Sequence, residues 1–226
     1  MMKQTPKFLF LVLATVAANA ALSISHDVRA QGRDYQKREA AVKDNMKYAR
    51  RLEDIAAPVL MGNADQCGNY VVPYIGAQFA TTDSVGEDYQ AVMQNLYATT
   101  MQPTVTMIAA ESPAATSLQI GDSVTHVNGA ALSHGFASLD EIKNEIYQSK
   151  NAPLNLTIQR DGHAKEVAVT PVYACDVQVR LVNRDSKEVF IDDNKIAVTK
   201  ALLKSNTDDA QIAGYIEQEL LKLINN

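Results

Sequence analysis

Histidine, cysteine and basic charge are all scarce in this chain, and each scarcity narrows what it can do. Four histidines stand among 226 residues. Three of them are scattered over a predicted strand (His126), a polar loop (His134) and a hairpin turn (His163), so they read as ordinary surface or partly buried residues rather than metal ligands. The carboxylates are dispersed, and nothing pairs them as an acid and a base. There is no G-x-S-x-G elbow, no Walker loop and no dinucleotide fingerprint, and no cofactor is expected. Acidic residues number 26 against 21 basic ones, a formal charge of −5. Residues 1–30 hold Lys3, Lys7 and Arg29 against Asp27, which leaves the remainder more acidic still and argues against a nucleic-acid partner. The apolar run Phe8–Ala17 is too short for a comfortable transmembrane helix, so no stable membrane insertion is expected once a leader is removed. Repeats and low-complexity segments are absent.

What is present is a globular chain. Its hydrophobic content of 46% allows a real core in one or two small domains. Lys3 and Lys7 precede the apolar run and small residues follow it, the pattern of a secretory leader covering residues 1–30. Two cleavage sites compete, Ala18-Asn-Ala20 and Val28-Arg-Ala30. The second is favoured because the segment between them looks like neither helix nor strand; the alternative is an uncleaved anchor. No cysteine lies near either site, which argues against a lipoprotein. Export to an oxidising compartment, periplasmic or secreted, makes a bridge between the only two cysteines, Cys67 and Cys175, the favoured reading over two buried thiols.

The expected fold class is α+β. From Arg33 to about Leu60, Val42, Met46, Ala49, Leu52, Ile55, Ala56 and Val59 fall at three- and four-residue spacings, which predicts one long amphipathic helix that Pro58 kinks or ends near its last turn. This helix opens an N-terminal helical and irregular region, residues 31–102. The stretch from Gly62 to about Gln102 is less regular, with a strand at Tyr70–Tyr74 and a helix at Asp88–Leu96. Beyond it, Thr104–Ala110 alternates as a strand, Glu111–Ala115 turns the chain, and Ile120-Gly-Asp122 leads into the strand Ser123–Val127. Asn128-Gly129 signals a tight turn. Leu139, Ile142 and Ile146 mark a short helix, and Leu154–Gln159 and Ala164–Thr170 pair across the turn Arg160–His163.

The order Ser-Pro-Ala-Ala, L-x-x-G-D, Val-Asn-Gly, helix, hairpin resembles the bacterial PDZ domain found beside periplasmic proteases, over about residues 103–172. The resemblance implies a groove between the helix and a neighbouring strand that takes a C-terminal or extended peptide by strand addition, such as the end of an envelope protein. Leu139, Ile142 and Ile146 would form its helix side, with Val105 and Met107 on the strand side. Two departures stand out. The loop Thr99-Thr-Met-Gln-Pro103 ahead of that strand has no glycine to let N–H groups converge on a carboxylate, and the link from Ala115 to Leu118 is short and also lacks one. Weak discrimination between free and amidated peptide ends is therefore expected.

Residues 173–226 read as strand, turn, strand, short helix and a capped last helix behind Thr207-Asp-Asp209. This order resembles the approach to the zinc helix in metallopeptidases of the HtpX and CAAX-prenyl-protease type, some secreted members of which carry a PDZ-like insert flanked by cysteines. Asp209, Gln211-Ile-Ala213 and Ile216 keep the family's register. That register sets Gln218 and Lys222 where two zinc-binding histidines should stand and Glu219 where the catalytic glutamate should stand. Glutamine is a poor zinc ligand and a protonated lysine is none. The sequence also ends four residues beyond Lys222, ahead of the family's third ligand. The segment is thus expected to be a degenerate, shortened metallopeptidase remnant, with no metal and no catalytic residue. The resulting expectation is an exported, non-catalytic, pseudopeptidase-like protein that binds a polypeptide. The alternatives are a fragment or partner-dependent form of a zinc metallopeptidase, and a structural periplasmic protein with no open groove.

Overall fold

The computed structural model describes residues 10–205 and 208–225, with side chains from residue 31 onward. Two compact units are distinguished, one ending at Lys43 and the other starting at Asp44. Helix α1 spans Phe10–Gly62. It passes through the segment between Ala20 and Ala30 that was expected to be irregular, so that expectation is corrected. Lys3, Lys7 and the start of the apolar run lie outside the described residues. Among those described, no helix is long and apolar enough to cross a membrane.

Pro58 lies inside α1, where it removes one backbone donor. The helix runs only four residues past it, and the side chain and backbone of Asn63 both donate to the Val59 carbonyl at its end. Leu52, Ile55 and Ala56 from the predicted stripe are buried, because three- and four-residue steps bring them to one face, and Leu60 beyond the stripe is buried with them.

The central β-rich unit follows. Strand β1 is Val71–Tyr74, β2 is Ala77–Ala80, helix α2 is Glu87–Tyr97, and β3 is Thr104–Ile108. Next come β4 (Ser123–Val127), β5 (Ala130–Ala131), α3 (Phe136–Ser149), β6 (Leu154–Arg160) and β7 (His163–Val169). One antiparallel sheet has the order β2-β3-β4-β6-β7, with β5 paired to β4. Two tight hairpins set its register. Asn128 and Gly129 both take positive φ between paired Val127 and Ala130, and Asp161 and Gly162 do so between Arg160 and His163, the geometry that matches strand twist. Val105, Val124, Leu154, Leu156 and Ile158 from the sheet, with Ile142 of α3, form the core.

Asp122 of the Gly-Asp step is almost fully buried and receives Arg160 through two bonds, Nε to Oδ1 at 2.7 Å and Nη2 to Oδ2 at 2.6 Å. It also accepts the Gln119 N–H at 2.7 Å. The carboxylate therefore closes the loop entering β4, and it raises the guanidinium pKa above its ordinary value.

A separate two-stranded ladder pairs β1 with β8 (Val172–Cys175), and the expected bridge between Cys67 and Cys175 lies at its end. Strands β9 (Val179–Val182), β10 (Val189–Asp192) and β11 (Lys195–Thr199) form a third sheet, in which β9 runs parallel to β11. Helices α4 (Lys200–Ser205) and α5 (Asp209–Ile224) complete the chain. The Asp208 side chain caps α5 by accepting the Gln211 N–H. Ile212, Ile216 and Leu220 of α5 are buried against Leu52, Ile55 and Leu60 of α1 and Ile196 and Val198 of β11.

Candidate functional site

Strand β2 is an edge: β3 pairs with one side of it, and no strand among the described residues covers the other. Such an edge presents unpaired backbone groups to an incoming chain. Helix α3 lies beside it in the opposite sense. The Gly135 and Phe136 N–H groups, at the start of α3, bond the Met101 carbonyl and the Asp83 carboxylate just past the end of β2. Helix α3 also contacts β1, just ahead of the start of β2.

The flanks of α3 divide by helical spacing. Ser138 and Ile142 face the core. Glu141, Asn144 and Glu145 line a small cleft against β5. The remaining flank, at three- and four-residue steps, holds Phe136, Leu139, Lys143 and Ile146 with Tyr147 beside them. Leu139 and Ile146 are half-buried, and Ile146 packs with Ala77 and Phe79 of β2 on the core. Phe136 and Tyr147 are each 59% exposed, which leaves two aromatic rings on the rim of the groove.

The head of the groove is the segment Tyr74-Ile-Gly76 between β1 and β2. Its carbonyls are held: Ile75 O accepts the Ala114 N–H and Gly76 O accepts the Ala109 N–H, each at 2.9 Å. The N–H groups of Ile75 and Gly76 have no acceptor among the described residues, although both residues are buried. Two adjacent donors without partners are costly unless water or a ligand oxygen meets them. Gly76 takes φ +76°, in the left-handed region that lets successive N–H groups converge on an anion.

The groove therefore differs from the expected one in three respects. Val105 and Met107 lie on β3, between β2 and β4, where both are buried; an inner strand has no free edge, so the strand side belongs to Ala77–Ala80. Ile142 is 2% exposed and packs in the core, leaving Leu139 and Ile146 as the apolar helix wall. The segment Thr99–Pro103 lies at the opposite end of α3 from Ile75 and Gly76, where Met101 O accepts the Gly135 N–H. Ile75, Gly76, Ala77 and Phe79 were missed. Their one signal is a glycine between apolar residues just before a weak strand.

The residues read as a vacated zinc motif lie on α5. Gln218 and Lys222 are exposed one turn apart, and Lys222 Nζ donates to Glu219 Oε1 at 2.6 Å. Gln218 and Glu219 border a cleft of about 400 Å³ with Lys187, Glu188 and Tyr215. No group of three or more His, Cys, Asp or Glu side chains placed to hold a metal occurs among the described residues.

Residues 73–170 match the family model of the PDZ domain, and the central β-rich unit is a PDZ domain. Its match begins well ahead of residue 103, because it takes in β2. No curated protein matches the chain. Among solved structures, the chain is similar to the HtrA3 PDZ domain bound to a phage-derived ligand (FGRWV), at 20% identity and a TM-score of 0.36, over 46% of this chain and 89% of that one. It is also similar to the HtrA-type protease AlgW with a decapeptide, at 13% identity and a TM-score of 0.36, over 46% of this chain and 30% of that one. A third similarity is to the serine endoprotease from Yersinia pestis, at 16% identity and a TM-score of 0.33, over 52% of this chain and 35% of that one. The chain thus spans about a third of each of the two proteases.

Proposed function

We propose that this protein captures polypeptides by their C-terminal ends, laid as an added strand along β2 with the terminal carboxylate on the N–H groups of Ile75 and Gly76. The observation that carries this reading is the pair of unpartnered donors at the head of an open edge strand. Charge-assisted bonds from two backbone amides favour a carboxylate over a neutral amide, which reverses the weak discrimination expected from Thr99–Pro103. Ala77, Phe79, Leu139 and Ile146 would take an apolar last side chain. An exported setting, periplasmic or secreted, is supported by the leader-like first residues and by the disulfide, and would make the partner an envelope polypeptide.

The reading is also that the protein is not a peptidase. Gln218 and Lys222 do not suit zinc, and Glu219, the would-be base, is engaged by Lys222. Zinc analysis of the purified protein, with a casein assay run with and without chelator, tests this. Stoichiometric zinc together with chelator-sensitive cleavage would put the metallopeptidase reading first.

Peptide capture is tested by fluorescence anisotropy on the full chain, with a defined pool of heptapeptides ending in Val, Ile, Leu or Phe, each as free acid and as amide. The free acids are expected to bind at least about tenfold tighter, and Leu139→Arg to remove binding while the thermal melt stays cooperative. A folded wild-type protein that binds neither form would overturn the proposal.

A further inference from the structure

The PDZ match begins at residue 73, yet the head of the groove is held from outside it. Glu53 of α1 accepts the Tyr74 hydroxyl on Oε1 at 2.7 Å and the Gln78 amide on Oε2 at 3.1 Å. Those two residues bracket Ile75-Gly-Ala77. The next residue of the helix, Asp54, accepts the Ala110 N–H at 2.8 Å. Ala110 follows Ala109, whose N–H holds the Gly76 carbonyl, and precedes Ser112, whose side chain lies against Gly76. Two consecutive carboxylates thus grip the loop's flanks and the turn behind it. Burial, followed by the Glu53 charge, pushes the Tyr74 phenol well above its ordinary pKa, so it remains a donor at working pH.

Stability alone does not call for this arrangement, since Leu52, Ile55 and Ala56 of the same turns already anchor the helix in the core. A carboxylate directed at a tyrosine and a glutamine fixes angle and distance in a way that apolar contact does not. We propose that Glu53 and Asp54 are positioning residues for the peptide site: they hold the Ile75 and Gly76 N–H groups converged, so that α1 is a working part of the groove. This inference rests on the peptide-capture reading.

The test uses the full-length chain with Glu53→Ala, Glu53→Gln, Asp54→Ala and Asp54→Asn, the same free-acid and amide heptapeptides, and thermal melts with two-dimensional amide spectra as a check on folding. Because only the free acid makes charge-assisted bonds to the converged donors, Glu53→Ala and Asp54→Ala should weaken free-acid binding about tenfold and amide binding less, lowering the acid-to-amide ratio. Glu53→Gln and Asp54→Asn, which can still accept from the Tyr74 hydroxyl and the Ala110 N–H through their carbonyl oxygens, should keep part of the ratio. An unchanged ratio in folded variants, with only the melting temperature lowered, would show a plain structural brace and overturn the inference. Tighter free-acid binding by Glu53→Gln would also overturn it, because it would mean that Glu53 acts by repelling the ligand. Wild-type protein that binds neither peptide form overturns the groove reading itself, and this inference with it.

Discussion

The Ser112 side chain fills the space above Gly76: a Cβ on that glycine would stand 2.0 Å from Ser112 Cβ and 2.3 Å from Ser112 Oγ. The glycine has positive φ as well, so two separate penalties meet at one position. Gly76→Ala should destabilise the protein by about 2 kcal/mol or more, from crowding and from the left-handed backbone together. Adding Ser112→Gly should relieve the crowding and recover only part of the loss, because φ is unchanged. Urea denaturation of the single and double variants measures this, and full recovery would show that φ contributes nothing.

The bridge between Cys67 and Cys175 spans 108 residues. Closing a loop of that length restricts the unfolded chain, and removal by Cys67→Ala with Cys175→Ala should cost about 4 kcal/mol in the chain-entropy treatment. Chemical denaturation of wild type and double variant gives the difference directly. A loss below about 1 kcal/mol would mean that the unfolded chain is already restrained near these positions.

Asp122 and Arg160 form a partly buried pair with unequal partners. Asp122→Ala leaves the guanidinium without its counter-charge and the Gln119 N–H without its acceptor, and should cost about 3–5 kcal/mol. Arg160→Met should cost about as much, since it keeps the Gln119 bond but leaves the nearly fully buried Asp122 carboxylate without a counter-charge. A double-mutant cycle by urea unfolding should return a coupling well above that of an exposed pair; additive losses would refute the pairing.

Acid should loosen the start of α3. The Thr81 hydroxyl and then the Phe136 N–H bond the Asp83 carboxylate and hold its pKa below the ordinary aspartate value. A carboxylate depressed in the folded state contributes stability that is complete above its unfolded pKa and lost as pH falls through the folded one. Carboxyl titration by NMR should place the Asp83 midpoint below that of a free aspartate, with the Phe136 amide shift following it. Asp83→Asn should flatten that amide titration.

Much of the chain could be read directly from its residues. Ser123–Val127 forms the strand read from its alternation, and Asn128-Gly129 and Arg160–His163 turn as their residue types require. The groove strand was not legible. Ala-Gln-Phe-Ala has a single strongly strand-favouring residue, and a register shift between Gln78 and Phe79 breaks its alternation. What makes it a strand is pairing with β3, a long-range contact that no local pattern reports. Ile142 was misplaced for a related reason. A helical stripe identifies apolar positions, but not which flank turns inward when core and groove share one helix.

The ladder of β1 with β8 brings together the two points where the chain enters and leaves the PDZ domain, with Val71 opposite Cys175 and Tyr74 opposite Val172. A domain whose ends depart side by side is topologically an insert: α1 ahead of it and β9 to α5 behind it can meet around Leu52, Ile55, Ile212 and Ile216 whatever is threaded between them. The same outer core could therefore accept a different recognition module in that position, provided the replacement returned its chain to where it began.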